Sequence, residues 1–156
     1  MRDKICVVGL GYVGIQVAIF FGQKYDLIGY DLNSKRVASL KRGLDKDGEV
    51  SKAEIHKAKY CKFTNNLNDI KDANIYIICV PTPIDKNNIP DLTILKRASS
   101  AVGKHVKSQD IIIYESTVYP GVTEEICVPL IEKESGLKYI SNDIMQGIKL
   151  SSRWER

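Results

Sequence analysis

A glycine signature set between two apolar strand-like runs constrains the fold of this chain more than any other feature. The first run, Ile5–Val8, leads into Gly9, Gly11 and Gly14, and a second run ends on Asp31, twenty positions after Gly11. In such a signature the first glycine makes a tight turn, the second lets the backbone approach a pyrophosphate, and the third lets a helix pack against the strand. The spacing therefore predicts a βαβ unit that holds a dinucleotide at a helix N-terminus.

The acid at the end of the second strand predicts which dinucleotide binds. An ionised carboxylate accepts hydrogen bonds but donates none, so it suits a ribose diol and repels a 2′-phosphate. Asp31 therefore favours NAD over NADP. A structural interpretation stays open, because glycines also mark ordinary turns and an acid after a strand can simply cap it.

Apolar strand-like runs alternate with helix-periodic segments along the whole chain. The runs lie at 4–8, 26–30, 61–64, 74–79 and 110–114, and the helical segments near 12–23, 34–42, 52–59, 93–106 and 121–135. Such alternation predicts an α/β fold, a Rossmann-like doubly wound parallel sheet with both faces covered, in a single domain. Asn33 and the pair Ser51 and Glu54 are predicted helix caps, and the Gly- and Asp-rich stretch 41–50 is predicted to be a solvated loop.

Composition excludes several classes of protein. The 156 residues are 44% hydrophobic and 27% charged, as in a globular domain, and the net charge of +4 is dispersed among interleaved lysines and acids. We therefore expect no nucleic-acid partner. No run approaches the ~20 apolar residues of a membrane span, and the N-terminus enters a strand without a signal-peptide region, so we expect no membrane segment and a cytoplasmic location.

Cysteine and histidine spacing gives no sign of a metal site or a disulfide framework. Cys6, Cys61, Cys79 and Cys127 form no short pair, and the two histidines, His56 and His105, are isolated. We expect no bound metal, and core packing for the cysteines in apolar runs.

Two further strand ends carry unusual residues. Val80 and Pro81 lead into Thr82, whose hydroxyl the flanking prolines hold in a fixed direction, and the stretch 115–121 places Ser116 and Thr117 between a buried strand and a helix. Ligands of open parallel sheets bind beyond the carboxyl ends of the strands, so both segments are predicted to form a binding-site wall. A rigid turn at Thr82 and a helix cap at Ser116 or Thr117 are the alternatives.

Five ordered motifs, over about residues 4–139, resemble the N-terminal NAD-binding domain of the UDP-glucose/GDP-mannose dehydrogenases. They are Gly-Leu-Gly-Tyr-Val-Gly at 9–14, Gly-Tyr-Asp-Leu-Asn at 29–33 with Arg36, Val-Pro-Thr-Pro at 80–83, Pro-Asp-Leu at 90–92 and Glu-Ser-Thr-Val-Tyr-Pro-Gly at 115–121. Within the family, these motifs most resemble those of the branch that acts on UDP-N-acetylhexosamines for surface polysaccharide synthesis.

The resemblance implies an NAD-dependent oxidation of a UDP-sugar C6 alcohol to a carboxylate, through an aldehyde and a cysteine-bound thioester, with two NAD reduced per sugar. It also implies a homodimeric parent enzyme. The residues carried over by position are Gly9, Gly11, Tyr12, Val13 and Gly14 at the pyrophosphate, Asp31 at the adenosine ribose, Arg36 on the adenine side, Val80, Pro81, Thr82 and Pro83 near the cofactor midsection, and Ser116 and Thr117 beside the nicotinamide, where Thr117 also positions the catalytic water.

The chain departs from the family pattern in two places. Ile15 and Gln16 replace the usual Leu-Pro, and residues 140–156 read as a divergent tail after an NAD-binding domain at 1–139. By this resemblance the last strand, the central helix, the nucleophilic cysteine and the C-terminal UDP-sugar-binding domain are expected to be absent. Cys127 precedes Val-Pro but lacks the flanking residues of the family's nucleophile.

These departures leave two functional hypotheses. In the first, the chain is a fragment of a nucleotide-sugar dehydrogenase that binds NAD without full activity, because no thiolate is available for the thioester route. In the second, it is a stand-alone NAD-binding or regulatory module that associates with a full-length relative. Short-chain and 2-hydroxyacid dehydrogenases share the glycine signature, but this sequence lacks the other catalytic motifs of those enzymes.

Overall fold

A computed structural model describes residues 3–84, 86–87 and 89–139, and the backbone of 149–152. The strands are β1 (Lys4–Val8), β2 (Asp26–Tyr30), β3 (Cys61–Thr64), β4 (Ile75–Ile78), β5 (Ile111–Tyr114) and β6 (Lys149–Ser152). The α-helices are α1 (Tyr12–Gly22), α2 (Ser34–Lys41), α3 (Lys52–Lys57), α4 (Thr93–Gly103) and α5 (Val128–Ser135), with a 3-10 helix at Leu67–Asp72 and a π-helical turn at Thr123–Cys127.

The strands form one parallel sheet in the order β3-β2-β1-β4-β5-β6. Val8, at the end of β1, lies opposite both Tyr30 and Ile78, and Ile78 lies opposite Tyr114. Four strands therefore end in register, and the residues that follow them lie along one edge of the sheet. The strand order reverses between β1 and β4, which is the topological switch point where such sheets bind ligands. The predicted doubly wound fold is confirmed.

The sixth strand corrects one expectation. β6 pairs with β5 from Ile111 opposite Lys149 to Tyr114 opposite Ser152, so the expected loss of a last strand is wrong. The segment Lys-Leu-Ser-Ser is polar and short, and it lacks the apolar run that revealed the other strands. The predicted division into a domain at 1–139 and a tail at 140–156 stays a prediction, because 140–148 and 153–156 lie outside the described residues.

Both faces of the sheet are buried, as the continuous apolar strands predicted. Alternate residues of β1 point to opposite faces: Cys6 and Val8 join a core with α4 and α5, whereas Ile5 and Val7 join a core with α1, α2 and α3. The two layers of helices hold the strand ends in a fixed arrangement.

The predicted helix at 121–135 is interrupted near its start. Pro129 has no N–H to donate to the carbonyl of residue 125, and its ring would clash with that group in a regular helix. The N–H of Val128 reaches the carbonyl of Thr123 instead, and the turn before α5 widens into a π-helix.

Candidate cofactor-binding site

The glycine loop after β1 is shaped by contacts that exclude side chains. A Cβ on Gly14 would lie 1.8 Å from the carbonyl oxygen of Gly9, and a Cβ on Gly9 would lie 2.9 Å from the carbonyl oxygen of Cys79. Gly9 also has a φ of 93°, in the left-handed region that favours glycine. The tight turn at Gly9 and the close helix packing at Gly14 are thus confirmed as steric requirements.

Gly11, between these two glycines, faces open space. No atom lies within 4 Å of the position that a Cβ would occupy, and Gly11 immediately precedes α1 without a capping side chain. Tyr12 is 68% exposed and Val13 is half-buried. The first N–H groups of a helix have no partner within it, so this uncapped start presents free donors and the positive end of the helix dipole at the sheet edge.

Asp31 lies beside the loop and holds it. One carboxylate oxygen accepts a hydrogen bond from the N–H of Leu10 at 2.8 Å, and the other accepts one from the N–H of Asn33 at 2.8 Å. The structural role that the sequence left open is therefore present. Each carboxylate oxygen has a second lone pair, so the same side chain retains acceptor capacity for a ribose diol.

Arg36 is held in place by a hydrogen bond to the glycine loop and by two ion pairs. Its Nε donates to the carbonyl of Leu10 at 3.0 Å, and its Nη1 pairs with the carboxylates of Asp45 and, at 3.1 Å, Asp47. Nη2 is buried without a hydrogen-bond partner among the described residues. An unpaired buried donor costs about 1–3 kcal/mol, and Nη2 is closed off from solvent.

The loop at 41–50 differs from its prediction as a solvated segment. The Asp45 side chain is fully buried and accepts hydrogen bonds from the N–H groups of Asp47, Glu49 and Val50 at 2.9 to 3.0 Å. Burial by itself raises the pKa of Asp45, but the hydrogen bonds from Arg36 and the backbone outweigh it and leave the pKa lowered. Asp45 is thus a buried carboxylate that folds the loop around itself.

The other two polar strand ends are bonded to each other. The Ser116 hydroxyl donates to the carbonyl of Val80 at 2.7 Å, and the Thr82 hydroxyl donates to the carbonyl of Thr117 at 2.6 Å. Pro81 and Thr117 are exposed beside these bonds. The structure therefore brings the two predicted segments together into one wall. Both hydroxyls donate their hydrogen bonds to backbone carbonyls.

Comparison with known proteins places this geometry in a family. The model of the UDP-glucose/GDP-mannose dehydrogenase family, NAD binding domain, matches residues 3–151. The chain belongs to this family. The family's NAD-binding domain accounts for the glycine loop, for the acid after β2 and for the order of the sheet.

Relatives within the family are similar over most of this chain. It is 52% identical over 140 residues to a UDP-N-acetyl-D-glucosamine 6-dehydrogenase of Pseudomonas aeruginosa, covering 89% of this chain and 33% of that protein. Protein CapL of Staphylococcus aureus is 51% identical over 137 residues, with 88% and 32% covered. The chain thus spans about a third of the length of the curated relatives it matches.

Solved structures agree with the sequence relatives. The UDP-D-ManNAc dehydrogenase of Pyrococcus horikoshii superimposes with a TM-score of 0.82 at 32% identity, over 98% of this chain and 36% of that one. A ternary complex of GDP-mannose dehydrogenase from Pseudomonas aeruginosa gives a TM-score of 0.82 at 26% identity, over 100% and 37%.

NAD is the cofactor of this domain, and the residues present fit it. The uncapped start of α1 with open space at Gly11 suits a pyrophosphate, and the free lone pairs of Asp31 suit a ribose diol. This edge of the sheet therefore fits the cofactor of the family's NAD-binding domain.

None of the four cysteines has the character of a nucleophile. Cys6, Cys79 and Cys127 are buried and Cys61 is half-buried. Burial raises the pKa of Cys61 and of Cys79 to about 12, and also raises the pKa values of Cys6 and Cys127. A thiol attacks as its thiolate, so these side chains are inert near neutral pH and serve as packing groups.

A cavity of about 500 Å³ lies elsewhere, between α2, α3 and β3. Its lining includes Gly43, His56, Lys59 and Phe63, and none of the predicted cofactor residues. Among the described residues there is no group of three or more side chains that could hold a metal ion, and no helix long and apolar enough to cross a membrane.

Sequence reasoning missed the two acids that engage Arg36. Asp45 and Asp47 stand in an Asp-Lys-Asp-Gly stretch, which reads as an ordinary polar turn. The local signal available is the pair of acids within this turn, nine and eleven residues after Arg36.

Proposed function

We propose that this chain is the NAD-binding part of a nucleotide-sugar 6-dehydrogenase that oxidises a UDP-N-acetylhexosamine. The observation that carries the proposal is the edge of the sheet, where the uncapped start of α1 opens at Gly11 beside Asp31. The relative from Pseudomonas aeruginosa supports the substrate class, since it is a UDP-N-acetyl-D-glucosamine 6-dehydrogenase. The oxidation removes four electrons from C6 as two hydrides for two NAD molecules, and water supplies the second carboxylate oxygen.

The proposed roles follow the order of the strand ends. The backbone around Gly11, Tyr12 and Val13 holds the pyrophosphate, for which Gly9 and Gly14 fix the loop, and Asp31 binds the adenosine ribose. Arg36 lies on the adenine side, Val80, Pro81 and Thr82 line the middle of the cofactor, and Ser116 and Thr117 stand beside the nicotinamide. Exposed Thr117 is proposed to position the water that completes the oxidation.

The chain by itself is proposed to bind NAD without turning over a UDP-sugar. The thioester route needs a thiolate, and the pKa values of all four cysteines are raised. The remaining expectations belong to the same proposal: a role in polysaccharide precursor synthesis, a cytoplasmic location, a homodimeric parent enzyme and no nucleic-acid partner.

The test combines calorimetry with absorbance. The purified chain is titrated with NAD, and NADH formation is then followed with UDP-N-acetylglucosamine and UDP-N-acetylmannosamine. We expect NAD binding that weakens in Asp31→Asn and is unchanged in Asp26→Asn, a matched loss of one charge at the opposite end of β2. Failure to bind NAD would refute the proposed function, and sugar-dependent NADH formation would refute the claim that the chain alone is inactive.

A further inference from the structure

Arg36 and Asp31 flank the same residue of the glycine loop. Asp31 accepts from the N–H of Leu10 at 2.8 Å, whereas Arg36 donates from Nε to the carbonyl of Leu10 at 3.0 Å. The guanidinium and the carboxylate proposed to bind the ribose are therefore both fixed to Leu10. An arginine in that neighbourhood is the usual partner of a 2′-phosphate in sites that take NADP.

In this chain the guanidinium is already occupied. Nη1 pairs with Asp45 and Asp47, and the arginine side chain is only 8% exposed. Nη2, the other end of the fork, is buried and without a partner among the described residues, so it is not presented to solvent. A phosphate could engage Arg36 only after the two carboxylates had released it.

The local charge balance acts in the same direction. Among the four side chains, the three carboxylates of Asp31, Asp45 and Asp47 outnumber the one guanidinium of Arg36. The fully buried Asp45 is additionally fixed by three backbone N–H groups, so it cannot turn away from Arg36 without unfolding the loop. The positive charge of Arg36 is therefore neutralised where an NADP site would offer a free cation.

We propose that Asp45 and Asp47 determine cofactor specificity by occupying Arg36, so that NADP is excluded by a masked arginine as well as by Asp31. This inference rests on the proposed NAD site. It adds the loop after α2 to the specificity-determining part of the fold and gives that loop a role distinct from contact with the cofactor.

The test measures the ratio of the NADP and NAD dissociation constants by calorimetry. Asp47→Asn is the main variant, because the Asp47 side chain is 63% exposed and its loss leaves the buried Asp45 network in place. We expect the ratio to fall about two- to fivefold, as for the loss of one partly exposed ion pair. Asp45→Asn is expected to lower the ratio further. Asp26→Asn removes the same charge at the first residue of β2, away from the loop, and is expected to leave the ratio unchanged.

A second background separates release of Arg36 from simple loss of negative charge. In Arg36→Gln, or in Arg36→Met if Gln does not fold, Asp47→Asn is expected to leave the ratio unchanged. An equal fall of the ratio with and without Arg36 would overturn the proposal, as would no change of the ratio in Asp47→Asn when the unaltered chain binds NAD. Absence of NAD binding by the unaltered chain would refute the proposed function itself, and the inference with it.

Discussion

The two halves of the cofactor edge are built in opposite ways. After β1 and β2 the site is made of backbone: glycines remove side chains, and the first N–H groups of α1 stay free beside Asp31. After β4 and β5 it is made of side chains, and the hydroxyls of Ser116 and Thr82 each donate a hydrogen bond to a backbone carbonyl of the neighbouring loop. The first half leaves polar groups unused for a ligand, whereas the second half uses them to hold two loops together.

This difference determines how each half responds to mutation. Added atoms are excluded at Gly9 and Gly14 because backbone carbonyl oxygens lie against both positions, and close packing leaves no room for adjustment. The hydroxyl-bonded wall should tolerate changes that keep a hydroxyl and lose only one hydrogen bond otherwise.

Gly14→Ala is predicted to destabilise the fold more than any other change considered. Its Cβ would lie 1.8 Å from the carbonyl oxygen of Gly9, so α1 must move away from β1, at a cost of at least about 3 kcal/mol in the free energy of unfolding. Gly11→Ala is the matched control, since nothing lies within 4 Å of its Cβ, and it should cost under about 1 kcal/mol while weakening NAD binding. Urea unfolding of both variants checks this, and equal destabilisation would contradict the close packing at Gly14.

The next largest effect is expected in the loop at 41–50, beside the glycine loop. Asp45→Asn removes a buried carboxylate that accepts from Arg36 and three amides, and should cost about 1.5–3 kcal/mol at neutral pH. The pKa of Asp45 is lowered on folding, so its stabilisation is present above its ordinary pKa of 3.8 and is lost as pH falls through the lower folded value.

Urea unfolding of the unaltered chain and of Asp45→Asn at a series of pH values measures that difference. The gap in unfolding free energy should be constant near neutral pH and shrink only on the acid side of 3.8. A gap that does not depend on pH would show that the carboxylate charge contributes nothing.

Much of the fold could be predicted from the sequence, because its signals are local. The five apolar runs became β1 to β5 with bounds within one residue, and the caps at Asn33 and at Ser51 with Glu54 formed as predicted. β6 was missed because Lys149–Ser152 has no apolar run, and the 3-10 helix at Leu67–Asp72 because its signal is too short.

The parts of the site that depend on the spacing of residues along the chain could be predicted. The parts that depend on which side chains become buried could not. The glycines and Asp31 are fixed by their separation along the chain, and their steric roles agree with the structure. The capture of Arg36 by Asp45 depends on a loop folding back over α2, which no local pattern specifies. The roles of Thr82, Ser116 and Thr117 toward NAD stay predictions.

In the side-chain half, Ser116→Ala tests the tie to β4. It removes a partly buried hydrogen bond to the carbonyl of Val80 and should lower the free energy of unfolding by about 1 kcal/mol. Ser108→Ala, at an exposed serine, is the control and should stay within about 0.5 kcal/mol. A loss at Ser116 as large as that at Gly14 would erase the contrast between the two halves.

The smallest effect is expected at Thr82, on the outer tie. Thr82→Val keeps the shape and loses the exposed hydrogen bond to Thr117, which should cost about 0.5–1 kcal/mol, whereas Thr82→Ser keeps the hydroxyl and should cost less. Thermal unfolding of the pair measures the difference. A greater loss of thermal stability in Thr82→Ser than in Thr82→Val would indicate that the methyl group, not the hydroxyl, holds the loop.

NAD is proposed to bind across this edge of the sheet, at the free amides of α1. A titration of the nitrogen-15-labelled chain with NAD, followed by amide chemical shifts, tests it most directly. We predict the largest shifts at Gly11, Tyr12 and Val13, with further shifts at Asp31 and Thr82. Shifts confined to the cavity lined by Gly43, His56 and Phe63, or no shifts at saturating NAD, would contradict it.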